Sequence, residues 1–197
     1  FILIGFSGVN LSPPISSPVS SSKLRKNVLY IGTGAGIATF LGFVDKEYIR
    51  HTTGKIKQRS SRNCKKDIPH YDKVDLVFIS RELEHMRWMA KYIEGILTIP
   101  DMTENMRFHI YITIKPESNN LASFLFWRAV TLYNMKKEKE RHEESSLLIN
   151  LGRPNFSKLI DNVWTDKDVK KHYVYACGPK AMTDSVEKIC LDKSNKN

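Results

Sequence analysis

The chain has 197 residues, of which 41% are hydrophobic and 26% charged, and its formal net charge is +10. That length holds one domain with a short appendage, and the composition supports a packed core, so a disordered or fibrous chain is excluded. No apolar run approaches the roughly 20 residues that cross a bilayer, so any membrane anchor is expected outside these residues.

The chain opens on Phe1 rather than Met and reads as a fragment of something longer. The stretch Leu11-Ser12-Pro13-Pro14 and Ser16-Ser17-Pro18 reads as a linker or surface loop. Beyond it, short apolar runs alternate with helical patterns. Strands are expected at Asn27–Ile31, Lys73–Ile79, Phe108–Thr113, Leu147–Leu151 and His172–Ala176. Helices are expected at Ala35–Ile49, Glu82–Leu97, Leu121–Met135, Ser157–Val163 and Ala181–Ile189. In the second of these, Met86, Met89, Ala90, Ile93 and Leu97 fall on one face. Strict alternation implies an α/β fold: a five-stranded parallel sheet with helices on both faces. The implied layout is a linker region over residues 1–26, one domain over 27–191 and a tail over 192–197. Thr52 to Asp72 is long, polar and basic, and reads as an exposed, partly disordered insertion.

Parallel sheets of this kind bind ligands beyond the carboxyl ends of their strands. The first strand runs into Gly32-Thr33-Gly34-Ala35-Gly36. Glycines there allow a tight turn and let a phosphate approach the backbone at a helix start, where free N–H groups and the dipole favour anions. The spacing is G-x-G-x-G, not G-x-G-x-x-G, and a plain tight turn is the competing reading. The second strand ends at Ser80-Arg81, where a domain preferring NAD usually carries an acidic ribose partner. Arg81 instead offers a rigid fork for a 2′-phosphate, which favours NADPH; a solvated Arg at a helix start is the alternative. The fourth strand runs into Gly152-Arg153-Pro154, a second phosphate contact or a structural turn. The fifth ends in Cys177-Gly178-Pro179. Cys177 could stand beside a flat ring as a small, polarizable neighbour, or be a structural cysteine. His172, at the other end of the same strand, is too distant to serve it as a base.

Cys64, Cys177 and Cys190 are odd in number and irregularly spaced, so no disulfide framework or metal site is expected, and a reducing compartment fits. Basic runs at Lys55 to Lys66 and Lys136 to Arg141 read as solvated surface, with an anionic membrane leaflet as the next candidate. Nucleic acid is not expected as a partner, because the first run interleaves no aromatic residues. Trp88 could flank a cofactor or pack its helix, whereas Trp127 and Trp164 read as packing residues.

Gly32-Thr33-Gly34-Ala35-Gly36, Ser80-Arg81 with Trp88, His109-Ile110-Tyr111-Ile112-Thr113, Gly152-Arg153-Pro154-Asn155-Phe156 and Cys177-Gly178-Pro179 occur in one order. In that order they resemble the NADPH oxidase family, over roughly Val28 to Cys190. The long segment from Thr113 to Gly152, and the ending Met182 to Cys190, resemble its dual oxidase and calcium-regulated branches. The glycine loop continues into Ala38-Thr39, where that family usually has Thr-Pro. The resemblance implies a ferredoxin-reductase-like NADP-binding domain, with residues 1–26 ending a flavin domain. It implies that NADPH binds here and that FAD, held mostly by the preceding domain, accepts its hydride. Electrons would then reach haem in a transmembrane domain and reduce oxygen, with this domain on the cytoplasmic face of the membrane. The glycine loop would hold the pyrophosphate, Arg81 the 2′-phosphate, Arg153 the phosphate end, and Cys177 the nicotinamide. A ferric-chelate reductase shares this architecture, and a nucleotide-binding module without catalysis is the non-enzymatic alternative.

Overall fold

A computed structural model of the chain describes residues 2–5, 26–53, 73–81, 85–98, 105–114, 121–139, 146–163 and 171–194. The strands are β1 (Ile2–Gly5), β2 (Lys26–Thr33), β3 (Lys73–Ser80), β4 (Met106–Ile112), β5 (Leu147–Leu151) and β6 (Lys171–Cys177). They form one sheet in the order β1-β6-β2-β3-β4-β5, and each neighbouring pair is parallel. The helices are α1 (Ala38–Thr53), α2 (Met86–Thr98), α3 (Leu121–Lys139), α4 (Phe156–Val163) and α5 (Lys180–Ser194).

All five expected strands are present and parallel. A sixth, β1, joins them at the edge by pairing with β6. It comes from the apolar opening Ile2-Leu3-Ile4, which is too short to be read as a strand from its pattern alone. The first helix starts later than expected. Gly34–Ile37 forms a 3-10 turn, and the α-helix begins only at Ala38. The last helix runs to Ser194, past the expected start of the tail. Most of the basic insertion, the linker, Cys64 and Trp164 lie outside the described residues.

Central parallel strands are covered on both faces, so they read as unbroken apolar runs. In β3, every residue from Val74 to Ser80 is buried. Side chains alternate along a strand, and this divides the core in two. Tyr30, Leu76, Phe78, Phe108 and Ile110 pack with Phe40 of α1, Met89 of α2 and Trp127 of α3. Leu29, Ile31, Val77, Ile79 and Val174 pack with Leu159 and Ile160 of α4 and Val186 of α5. Of the expected face of α2, Met89 is buried and Met86 and Ile93 pack partly buried against the core, Tyr92 is also inside, and Ala90 and Leu97 are exposed.

Chain order fixes where a crevice opens. From β2 the chain adds β3, β4 and β5 on one side, then crosses to place β6 on the other side of β2. This reversal between β2 and β6 is the topological switch point at which open α/β sheets take ligands.

Candidate functional site at the carboxyl edge of the sheet

Two of the sequence motifs meet at the switch point. Gly32 at the end of β2 pairs in register with Cys177 at the end of β6. The loop after Gly32 must turn at once, and Gly34 does so with φ +52°, a left-handed conformation that favours glycine. Gly36 lies so close to the β6 turn that a Cβ there would sit 2.6 Å from the Cys177 carbonyl oxygen and 3.2 Å from its Sγ. A side chain at Gly178 would come within 3.0 Å of Thr33 Oγ1 and 2.8 Å of Met182 Cε. Thr33 Oγ1 itself donates to Met182 Sδ at 2.8 Å. The loop and the Cys177-Gly178-Pro179 turn are therefore one packed unit. Neither the 3-10 turn nor the first turn of α1 carries an acidic residue, so nothing there opposes an anion at the helix start.

The other motifs line up along the same edge. Thr33 pairs with Ile79, which places Ser80-Arg81 just beyond the glycine loop's neighbouring strand. Strands lie about 4.8 Å apart, so Arg81 stands one spacing from the loop strand. Ser80 is buried and Arg81 is exposed. The Ser80 carbonyl accepts from the Thr113 N–H at 2.8 Å and from its Oγ1 at 3.2 Å, which ties the ends of β3 and β4 together. Gly152 continues the series. Its N–H donates to the Ile112 carbonyl at 2.8 Å, and its φ of +91° turns the chain off the sheet. Arg153 is exposed and Pro154 half-buried beyond that turn. Arg153 follows β5, three strand spacings or about 14 Å from β2, so Arg81 is much the nearer cation to the loop.

Sequence reasoning passed over His85. Its Nδ1 lies 3.1 Å from Ser80 Oγ, and its ring stacks on Trp88 with centroids 4.5 Å apart and planes at 28°. Trp88 is 45% exposed, so this pair forms an accessible aromatic shelf beside Arg81. The spacing of three between His85 and Trp88 at a helix start was the available signal. Trp127 is buried, as its reading as a packing residue requires.

Five motifs thus converge on one edge in the order of the strands. A family model described as the ferric reductase NAD binding domain matches residues 25–191. The chain belongs to this family. Among curated relatives, it is 22% identical over 96% of its length to a superoxide-generating NADPH oxidase heavy chain from Dictyostelium discoideum, and covers 25% of that protein. It is 26% identical over 85% of its length to human dual oxidase 2, covering 10% of it. It is 23% identical over 90% of its length to human NADPH oxidase 5, covering 24% of it. The chain therefore spans between a tenth and a quarter of these three relatives. Among the described residues, no helix is long and apolar enough to cross a membrane.

Proposed function

We propose that this domain binds NADPH and delivers its hydride to FAD, as the dehydrogenase end of a membrane NADPH oxidase. The observation that carries the reading is the contact between the Gly36 backbone and the Cys177 turn at the switch point, where a Cβ would stand 2.6 Å from backbone. That closeness brings a phosphate cradle and a ring-sized edge together. In this reading Gly32, Thr33, Gly34, Ala35 and Gly36 hold the pyrophosphate through backbone N–H groups. Ser80 and Arg81 take the 2′-phosphate, with the His85–Trp88 shelf flanking the adenine. Gly152, Arg153 and Pro154 close the far end of the edge. Cys177, Gly178 and Pro179 face the nicotinamide, where Cys177 sets the ring's position and makes no covalent bond.

NADPH supplies the hydride, and FAD, held mostly by the preceding domain of the parent protein, supplies the acceptor. This chain's own work is to bind, orient and exclude water. Passage of electrons to haem in a membrane domain, with oxygen as final acceptor and this domain on the cytoplasmic face, follows from the likeness to NADPH oxidases. The matched family description also fits a ferric-chelate reductase, which shares the same first half-reaction and differs in its acceptor.

The test uses the parent protein with its flavin bound. Cys177→Arg should abolish flavin reduction by NADPH in stopped flow while binding of 2′-phospho-ADP-ribose persists, and Cys177→Ala should be mild. A misplacement of about 1 Å can cost on the order of 100-fold in rate. Flavin reduction by Cys177→Arg at the parent rate would show that Cys177 is not at the hydride-transfer end.

A further inference from the structure

The sheet face beneath α4 changes character at its outer edge. Over β2 and β3 it carries Leu29, Ile31, Val77 and Ile79, with the buried Asp75 as its polar exception. Over β4 and β5 the same face carries Arg107, His109, Tyr111 and Asn150. Strand alternation puts the first three on one side, and the register sets Asn150 opposite Tyr111. From above, α4 adds Lys158 and Asn162, one turn apart. These six side chains line a cavity of about 600 Å³, within the size range of small-molecule sites. None of Gly32 to Gly36, Arg81, Arg153 or Cys177 lines it, while Asn155, just past the Gly152-Arg153-Pro154 turn, does.

Two of the cavity's side chains, Arg107 and His109, are held from below. Asp75 is fully buried one strand inward. Its carboxylate accepts from Arg107 Nε at 2.8 Å and Nη2 at 3.1 Å, and lies 2.8 Å from His109 Nε2. Burying such a set costs desolvation that three apolar residues would avoid, and the neighbours in register with it, Leu29 beside Asp75 and Val77 beside His109, are apolar. Asp75 offsets the charge of Arg107. Lys158 makes no ion pair among the described residues. The cavity is therefore net positive, and the Tyr111 hydroxyl and the Asn150 and Asn162 amides add neutral donors.

We propose that this cavity, which adjoins the nucleotide edge but holds none of its glycine-loop, Arg81, Arg153 or Cys177 contacts, is a second site for a small soluble phosphate-bearing molecule. Its phosphate is held by Arg107, His109 and Lys158, and the rest lies along Tyr111, Asn150 and Asn162. A guanidinium locked by a carboxylate is pre-oriented for a phosphate, which limits the entropy lost on binding.

The probe is inorganic pyrophosphate, titrated into the full chain with NADP⁺ saturating and again without it. Binding is followed through the His109 and Tyr111 ring resonances. Both should shift in a saturable way whether or not NADP⁺ is present. Lys158→Glu should weaken binding by about tenfold or more, because it reverses a charge at the ligand. Lys188→Glu makes the same charge change on the exposed side of α5 and should alter the affinity by less than about twofold, since salt screens distant charges. Both substitutions are at exposed positions, and an unchanged near-ultraviolet circular dichroism spectrum checks the fold. Unmoved His109 and Tyr111 resonances, or equal losses from the two variants, would overturn the proposal. So would shifts produced by phosphatidic acid vesicles but not by pyrophosphate, which would assign the cavity to a lipid headgroup.

Discussion

Asp75 is a buried carboxylate set between an arginine and a histidine. Burial alone would raise its pKa, but the hydrogen bonds from His109 and Arg107 outweigh that and hold the carboxyl below its ordinary range. The sign of the linkage follows. A depressed folded-state pKa stabilises the fold above the unfolded value, near 3.9, and that contribution is lost as pH falls through the lower folded value. Asp75→Asn should therefore destabilise the chain by about 3 kcal/mol at pH 7, since it leaves the half-buried Arg107 guanidinium without its counter-charge. The gap between parent and variant should narrow below about pH 4. Urea unfolding at both pH values measures it, and a gap that widens in acid would contradict the assignment. Little of this was legible in the sequence. His109 stood out only within a motif, and its bond to Asp75 depends on strand register, which no local pattern specifies. Cys177 was more legible, because a Cys-Gly-Pro turn closing a strand marks its own place at the sheet edge.

Elements were read better than contacts. A five-residue run, apolar except for Asn150 and bounded by turn residues, locates β5 without tertiary information. The edge strand β1 escaped, because four residues give no period and their partner, β6, lies more than 160 residues later. The burial of α2 shifted from Ala90 and Leu97 toward Tyr92, whose large ring gains more from the core than an alanine does. The 3-10 turn before α1 has a clear cause: Gly36 must press against the Cys177 backbone before the helix can rise. That packing yields a paired test. Gly36→Ala forces a Cβ to within 2.6 Å of a carbonyl oxygen, and should cost about 1–3 kcal/mol of stability and more than about tenfold in NADPH affinity. Gly42→Ala, in α1 with nothing within 4 Å of the added carbon, should instead stabilise by up to about 1 kcal/mol. Thermal melts and nucleotide titration of both variants check this. Matching behaviour would mean that the loop and turn are not packed as described.

At the scale of the whole molecule, the switch between β2 and β6 gathers motifs separated by more than 140 residues onto one edge. The order of motifs in the sequence was enough to suggest this edge, because alternating strands and helices admit few topologies. The cavity under α4 was not legible, since it arises from two strands and a helix meeting at the outer side of the sheet. In the proposed function this edge takes a phosphorylated dinucleotide, with Arg81 at the 2′-phosphate. Equilibrium titration of the chain with NADPH and with NADH tests it most directly. A tenfold preference needs only about 1.4 kcal/mol, within the range of one charge-assisted contact. NADPH should bind at least about tenfold more tightly than NADH, and Arg81→Ala should remove that preference while leaving NADH affinity nearly unchanged. Equal affinities for the two nucleotides in the parent chain would contradict the account.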